Sequence, residues 1–562
     1  MLSPPAFGHR GWCPHDIHSP SLVTAVPSVS LPRRVEGRTR SYTASLVIGS
    51  LVSCVTDLQQ KKRKRSRRFI QLRATSAVEV FARAWYPLGF TAVTDRGKPH
   101  HLRVCNVPVV FWHDGDAWRA AIDECPHRRV RLSEGRLEGS ELQCPYHGWT
   151  FNGQGQCTRI PQADESSQKA RLSPRACLSM LPTEERNGLL FLWAAGLYGD
   201  PEPPDHQALD ELIHQEDIFA IPGVQYVDYS RDLFMDMPIL LENVLDPAHL
   251  PFTHHATISS RKQAAEIPIQ ITSRDPGGFT GRRDKPQLQA SGVVSYKAPN
   301  HVWSLTDRKD SYRDWNIVYA APICPGRSRI FVRVVFEVPK VPMPLRQIFQ
   351  VVFSPSLPPW VTHLLNHNVL EDDNVFLHYQ GETMAPDGKQ ESRRKFWRCS
   401  FASSLRDFDI MKDDRTEADH LSKPLPARAR TDAKWQERFY TPTSSDAAVL
   451  CYHRWLQDVG GGVHWARDPS TSIKRKGREE LLERLHSHTD HCWSCSEALA
   501  LSQMLQSWGR PLLLLALLTT VLLDDFQWPL AMLSIAVAAV VACAAALEKQ
   551  LTVGEYPPPR NR

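Results

Sequence analysis

The sequence has no dense cysteine framework, no internal repeat and no even spread of basic charge. Its thirteen cysteines are scattered over 562 residues, which excludes a small secreted scaffold stapled by disulfides. The chain carries +6 overall, but residues 1–75 alone hold 13 Lys and Arg against Asp16, Glu36 and Asp57, so the remainder is mildly acidic. No nucleic-acid partner is therefore expected for the folded part. The basic leader, which ends in "KKRKRSRRFIQLRATSA", lacks an apolar core with a signal-peptidase site. It is poor in acidic residues and rich in Ser, Arg, Pro and Val. It reads as a plastid or mitochondrial transit peptide over 1–75 rather than as a nuclear signal. The rest is too long for one hydrophobic core.

From Trp85 to Trp193 the pattern is β. "LRVCNVPVVFW" runs to the turn "HDGD" and on to "AWRAAID", while "FNGQGQ" and "ERNGLLFLW" carry Asn-Gly hairpin signals. A Pro-rich linker, "GDPEPPDH", closes this module, expected over 80–200. Residues 206–460 mix strands such as "RIFVRVVFEV" with helical patterns such as "VTHLLNHNVLEDD", which predicts an α+β domain. Two long apolar runs follow, Pro511–Leu523 and Trp528–Leu547. The second has the roughly 20 residues a bilayer requires. The first, at thirteen residues, spans only about 20 Å as a helix. Arg510 and Lys549 outside, with Asp524 and Asp525 between, suit a transmembrane hairpin over 508–550. One span beside a core or interfacial helix is the other reading.

Three groups of residues carry chemistry. Cys125-x-His127 and Cys144-x-x-His147 are separated by sixteen residues. Each short loop offers one thiolate and one imidazole. Zinc fingers usually pair like with like, whereas a Rieske [2Fe–2S] cluster needs two cysteines on one iron and two histidines on the other. Downstream, "ENVLDPAHLPFTHHA" spaces Asp246, His249 and His254 as Asp-x₂-His-x₄-His. Two imidazoles and a later carboxylate make a facial triad for mononuclear Fe(II), with positions left for O₂ and substrate. On a straight helix residues five apart diverge by about 140°, so a kink or π-type bulge at Pro251 is expected to bring the rings together. His255 is the neighbouring alternative, and Glu371, Asp372 and Asp373 are the carboxylate candidates. Last, Cys492-x-x-Cys495, expected in a linker over 461–500, has the spacing of a redox dithiol. A local zinc site with His488 or His491 is the rival.

The stretch "CPHR…LSEG…CPYHGW" resembles the oxygenase branch of Rieske proteins. The positions that carry an extra cysteine in respiratory Rieske proteins hold Arg128, Arg129, Val130, Gly148 and Trp149. The order of leader, Rieske motif, Asp-x₂-His-x₄-His, CxxC and apolar pair resembles the plastid non-haem oxygenases. That family groups pheophorbide a oxygenase with Rieske components of the inner-envelope translocon. The resemblance implies an antiparallel Rieske domain joined to a helix-grip catalytic domain. It implies reduced ferredoxin as donor and a chlorophyll-derived tetrapyrrole as substrate, while the Cys-x-x-Cys spacing itself makes thioredoxin a candidate partner of the dithiol. The resemblance also implies a homotrimer assembled head to tail, with Asp246 bridging a cluster histidine and an iron histidine. An Asp-x₆-Gln element fits Asp373 with Gln380, which favours Asp373 as the ligand over Asp372. The implied location is the chloroplast inner envelope or thylakoid membrane, with the catalytic part on the stromal side. A redox sensor of protein import, without turnover, is the competing reading.

Overall fold

Two tight turns set the first half. Asn187 and Gly188 both take positive φ, 50° and 71°, as a two-residue I′ hairpin requires, and join Thr183–Arg186 to Leu189–Trp193. Cys105 and Asn106 do the same at 49° and 67°. They split "LRVCNVPVVFW" into His100–Val104 and Val107–His113, a hairpin with no Asn-Gly to announce it. The computed structural model describes residues 77–556 apart from 165–167, 201, 214–215, 286–289, 310, 355, 385–438, 461–462, 468–475 and 523–526. The leader read as a transit peptide, and Asp524 and Asp525, lie outside the described residues.

Three small antiparallel sheets make up the first half. The third, Arg136–Glu138, Glu141–Gln143, Thr150–Phe151 and Cys157–Arg159, carries the two Cys/His loops at its ends. The second half is a seven-stranded antiparallel sheet. Its order is Val224–Leu233, Arg327–Glu337, Arg313–Cys324, His301–Arg308, Ala290–Lys297, Gly278–Lys285 and Ile269–Asp275. Around Arg313–Cys324 and Arg327–Glu337 both of its faces are buried, and side chains alternate between them with the period of a strand. Ile317 and Tyr319 pack with Trp85, Tyr86 and Trp193 of the first half. Val318 and Ala320 pack with Leu241, Leu245, Tyr452 and Trp455.

Val224–Leu233 is the edge strand, and the helix Pro359–Met384 lies beside it. That helix buries His363, His367, Glu371, Asn374 and His378, a stripe at three- and four-residue spacing. The stripe is polar, so each member needs a partner. His367 Nδ1 meets the Tyr229 hydroxyl at 2.7 Å, and His378 Nδ1 donates to the Phe234 carbonyl at 2.6 Å. Glu371 accepts from Arg231 at 2.8 Å and from Arg484 at 2.6 Å and 2.7 Å. All three of these charged residues are buried. Arg484 belongs to the stretch expected to be a linker. That stretch also buries Leu481, Leu482, His488, Thr489, Cys492 and Cys495.

Two helices, Trp493–Leu522 and Gln527–Thr552, follow. Both are long and apolar enough to cross a bilayer. The short first run is only the far end of a 30-residue helix, whose polar first half supplies the missing length. The pair packs closely where a Cβ on Gly509 would stand 2.4 Å from Val541. Leu514, Val521, Ile535 and Trp528 remain exposed.

Replacing Glu371 by Gln leaves two buried guanidiniums without a counter-charge. Removing one partner of such a group costs about 3–5 kcal/mol. Denaturant titration of the detergent-solubilised protein should show a loss of that order, and an unchanged midpoint would mean the ions are not coupled in the fold.

Candidate metal centres

The two Cys/His loops are built alike. Cys125 N–H donates to the Val130 carbonyl and Cys144 N–H to that of Trp149, at 2.9 Å and 2.8 Å. Each cysteine carbonyl then accepts from the residue four positions on, Arg129 or Gly148. Both of those residues sit in the left-handed region, at φ 56° and 71°. Beneath the first loop the buried Asp123 carboxylate accepts from Leu132 N, Ser133 N and Ser133 Oγ. The sulfurs are buried, while His127 is exposed and His147 half-buried. The two rings stand 4.7 Å apart, and His127 stacks on Trp149. The Cys125–Cys144 hydrogen bond pushes Cys125 up and holds Cys144 down at about 6. Two sulfurs inside and two imidazoles at the surface suit a [2Fe–2S] cluster with mixed ligation.

The second group forms where a helix stops. Asp246 precedes Pro247, which disfavours helical backbone at Asp246, and it is extended at φ −95°, ψ 102°. The helix Met237–Leu245 therefore ends there. A single turn, Leu250–Thr253, follows, with His249 at its N-terminal end and His254 at its C-terminal end. The expected kink or π-bulge at Pro251 is not what joins the histidines. They flank one short turn, because the Asp-Pro pair has already broken the longer helix.

His249 Nδ1 donates to the Asp246 carbonyl at 2.5 Å. His254 Nδ1 faces Asp372 Oδ2 at 3.3 Å, and Thr257 Oγ1 donates to the same oxygen at 2.8 Å. Both Nε2 atoms are thus left for a metal. Asp373 Oδ2 stands 3.1 Å from His254 Nε2, and ligand atoms of His249, His254 and Asp373 lie within 4.8 Å of one another. Burial lowers His254, but the hydrogen bonds to Asp372 and Asp373 outweigh it and raise it to about 9. The pocket attracts a cation. Asp372 orients a histidine, as outer partners of metal ligands commonly do, and Glu371 points away to the arginines. His255 Nδ1 accepts from Arg261 N instead. Gln380 donates to Glu242, outside this group. The Asp246 carboxylate accepts from Ala248 N and stays 3.9 Å from His249 Nδ1. Burial pushes it up.

Cys492 and Cys495 are buried and face His363 and His488 rather than solvent. His363 has no sequence signal, since it lies on the long helix far from the cysteines. His491 is turned elsewhere, where burial and then Arg329 push it down to about 3.

The family model "Rieske [2Fe-2S] domain" matches residues 84–178, and "Pheophorbide a oxygenase" matches residues 296–391. Pheophorbide a oxygenase of Arabidopsis thaliana is 31% identical, covering 75% of this chain and 73% of that protein. Flavonoid 8-hydroxylase 2 of Ocimum basilicum is 28% identical over 74% of this chain and 73% of its own length. Protein TIC 55 of Pisum sativum is 26% identical over 83% and 80%. All three are chloroplastic.

Iron titration of stripped protein separates the two aspartates. Asp373→Ala should abolish binding at the His249/His254 site, whereas Asp372→Asn should weaken it by about ten- to a hundredfold. Equal loss in both would make Asp372 a ligand.

Proposed function

The chain belongs to the pheophorbide a oxygenase family of Rieske oxygenases, and from that membership we propose that it is a ferredoxin-dependent monooxygenase of a chlorophyll-derived tetrapyrrole. The convergence of His249, His254 and Asp373 carries this reading. A pure electron carrier or sensor has no use for an open metal site. Cys125, Cys144, His127 and His147 would hold the cluster, and His249, His254 and Asp373 the Fe(II). When bound, the first supplies single electrons and the second activates O₂. The net reaction puts one oxygen atom of O₂ into substrate and the other into water, with two electrons from the donor and two protons.

The chain's own residues orient and dock. Asp246 fixes His249 through its carbonyl and keeps its carboxylate off the metal group, which suits a bridge to a cluster histidine of a neighbouring subunit in a head-to-tail homotrimer. Arg128, Arg129 and Arg131 beside the exposed His127 form a basic rim suited to an acidic electron donor. Phe252 and Ile258, 59% and 62% exposed beside the iron turn, offer apolar contact to a flat tetrapyrrole. The apolar hairpin would hold the chain on the inner-envelope or thylakoid membrane with the folded part in the stroma. The likeness to TIC 55 favours a second reading, a redox-sensing component of protein import.

Aerobic incubation of the purified protein with reduced ferredoxin, chlorophyll derivatives and flavonoids should yield an oxygenated tetrapyrrole by mass. Oxygenation of flavonoids alone would change the substrate class, and no turnover with both centres loaded would favour the sensor. Asp246→Asn should leave both centres loaded and the cluster reducible, yet lower product formation at least about a hundredfold, a loss of about 2.7 kcal/mol in transition-state terms. Iron loss in that variant would make Asp246 a ligand.

A further inference from the structure

We propose that His363, His488, Cys492 and Cys495 form a structural Zn²⁺ site that fastens the membrane hairpin to the catalytic half. The four side chains are buried, and their ligand atoms lie within 4.8 Å of one another. That leaves room for a single ion and not for a two-iron cluster. His488 Nε2 is 3.3 Å from Cys495 Sγ, and His363 Nδ1 is 3.4 Å from Cys495 Sγ and 3.5 Å from Cys492 Sγ. The two ring nitrogens are 3.1 Å apart. Tetrahedral zinc, with Zn–S about 2.3 Å and Zn–N about 2.0 Å, separates neighbouring donors by about 3.3–3.8 Å.

The outer nitrogens decide the state of the inner ones. His363 Nε2 meets the Asp228 carbonyl at 3.1 Å and His488 Nδ1 that of Ser230 at 2.6 Å. A carbonyl only accepts, so both outer nitrogens must donate. The inner nitrogens then present lone pairs to each other across 3.1 Å. A cation shared with the two sulfurs removes that repulsion. Two sulfurs and two nitrogens in one dry, tetrahedral-sized group are a zinc donor set, and imidazoles held by backbone carbonyls are its usual support.

The group also completes the sheet. Asp228 and Ser230 lie on the edge strand, whose outward carbonyls have no strand partner. The two imidazoles cap them, and Asp232 N–H donates to Ser487 at 2.9 Å. One ion would thus join the edge strand, the helix bearing Asp373 and the first turn of Trp493–Leu522. The competing role, a dithiol cycled by thioredoxin, needs a sulfur that another protein can reach. Cys492 is 3% exposed and Cys495 is fully buried.

Elemental analysis of the full-length protein, purified anaerobically in detergent, should find one zinc per chain beside the irons. Cys495→Ser and His363→Ala should each cut that zinc at least tenfold while leaving acid-labile sulfide unchanged. Should both variants fail to fold, the wild-type protein serves. An organomercurial should release one zinc per chain, and Co²⁺ replacement should give tetrahedral bands with thiolate charge transfer. Three results would overturn the proposal: wild-type protein without zinc, zinc retained in both variants, or a Cys492–Cys495 disulfide that thioredoxin reduces.

Discussion

The contact on which the rest depends is Glu371 between Arg231 and Arg484. One carboxylate holds two guanidiniums out of water, with 2.6–2.8 Å hydrogen bonds on either side. Such a group is a poor source of net stability, but breaking it leaves an uncompensated buried charge. It sets the rotation and height of Pro359–Met384 against the edge strand. Asp373 follows Glu371 by two residues and turns to His249 and His254. His363 precedes it by two turns and turns to the cysteines. His367, between, is pushed well down by burial and then by His488 and Arg231, and stays neutral among the arginines. The proposed iron site and the proposed zinc site thus hang from the same helix.

Chemistry coded in short spacings was readable in the sequence. The mixed Cys/His loops, the Asp-x₂-His-x₄-His run and the Asn-Gly hairpins each place their residues locally, so the chain alone decides them. Strands of the seven-stranded sheet such as Arg327–Glu337 were also readable from an apolar run, whereas Ile269–Asp275 and Gly278–Lys285, which are largely polar, were not. The turn at Cys105–Asn106 was not, because a cysteine gives no sign that it will adopt a left-handed backbone.

What could not be read depends on helix phase and on distant partners. Glu371, Asp372 and Asp373 are consecutive, and each step turns about 100° around the helix. One faces arginines, one orients a histidine and one reaches the metal group, and only the packed helix decides which. The likeness to known oxygenases favoured Asp373, whose Oδ2 stands 3.1 Å from His254 Nε2. The turn bearing His249 and His254 was misjudged because a continuous helix through Pro251 was expected, whereas Asp246-Pro247 stops the helix before it. His363 had no signal, since its partners lie more than a hundred residues away on the other side of 385–438.

The helix Trp493–Leu522 begins at the buried cysteine pair and runs unbroken into its apolar half. From Trp493 to Pro511 it rises about 25 Å. Arg484, Thr489 and Trp493 tie its root to Gln550, Leu551 and Ala92. A chain anchored by this hairpin is joined to it through continuous helix, with Pro511 inside that helix where the apolar half begins. Among the described residues no loop separates the buried root around Cys492 and Cys495 from the apolar half, so a tilt of the hairpin is passed on to the folded half except for what Pro511 absorbs.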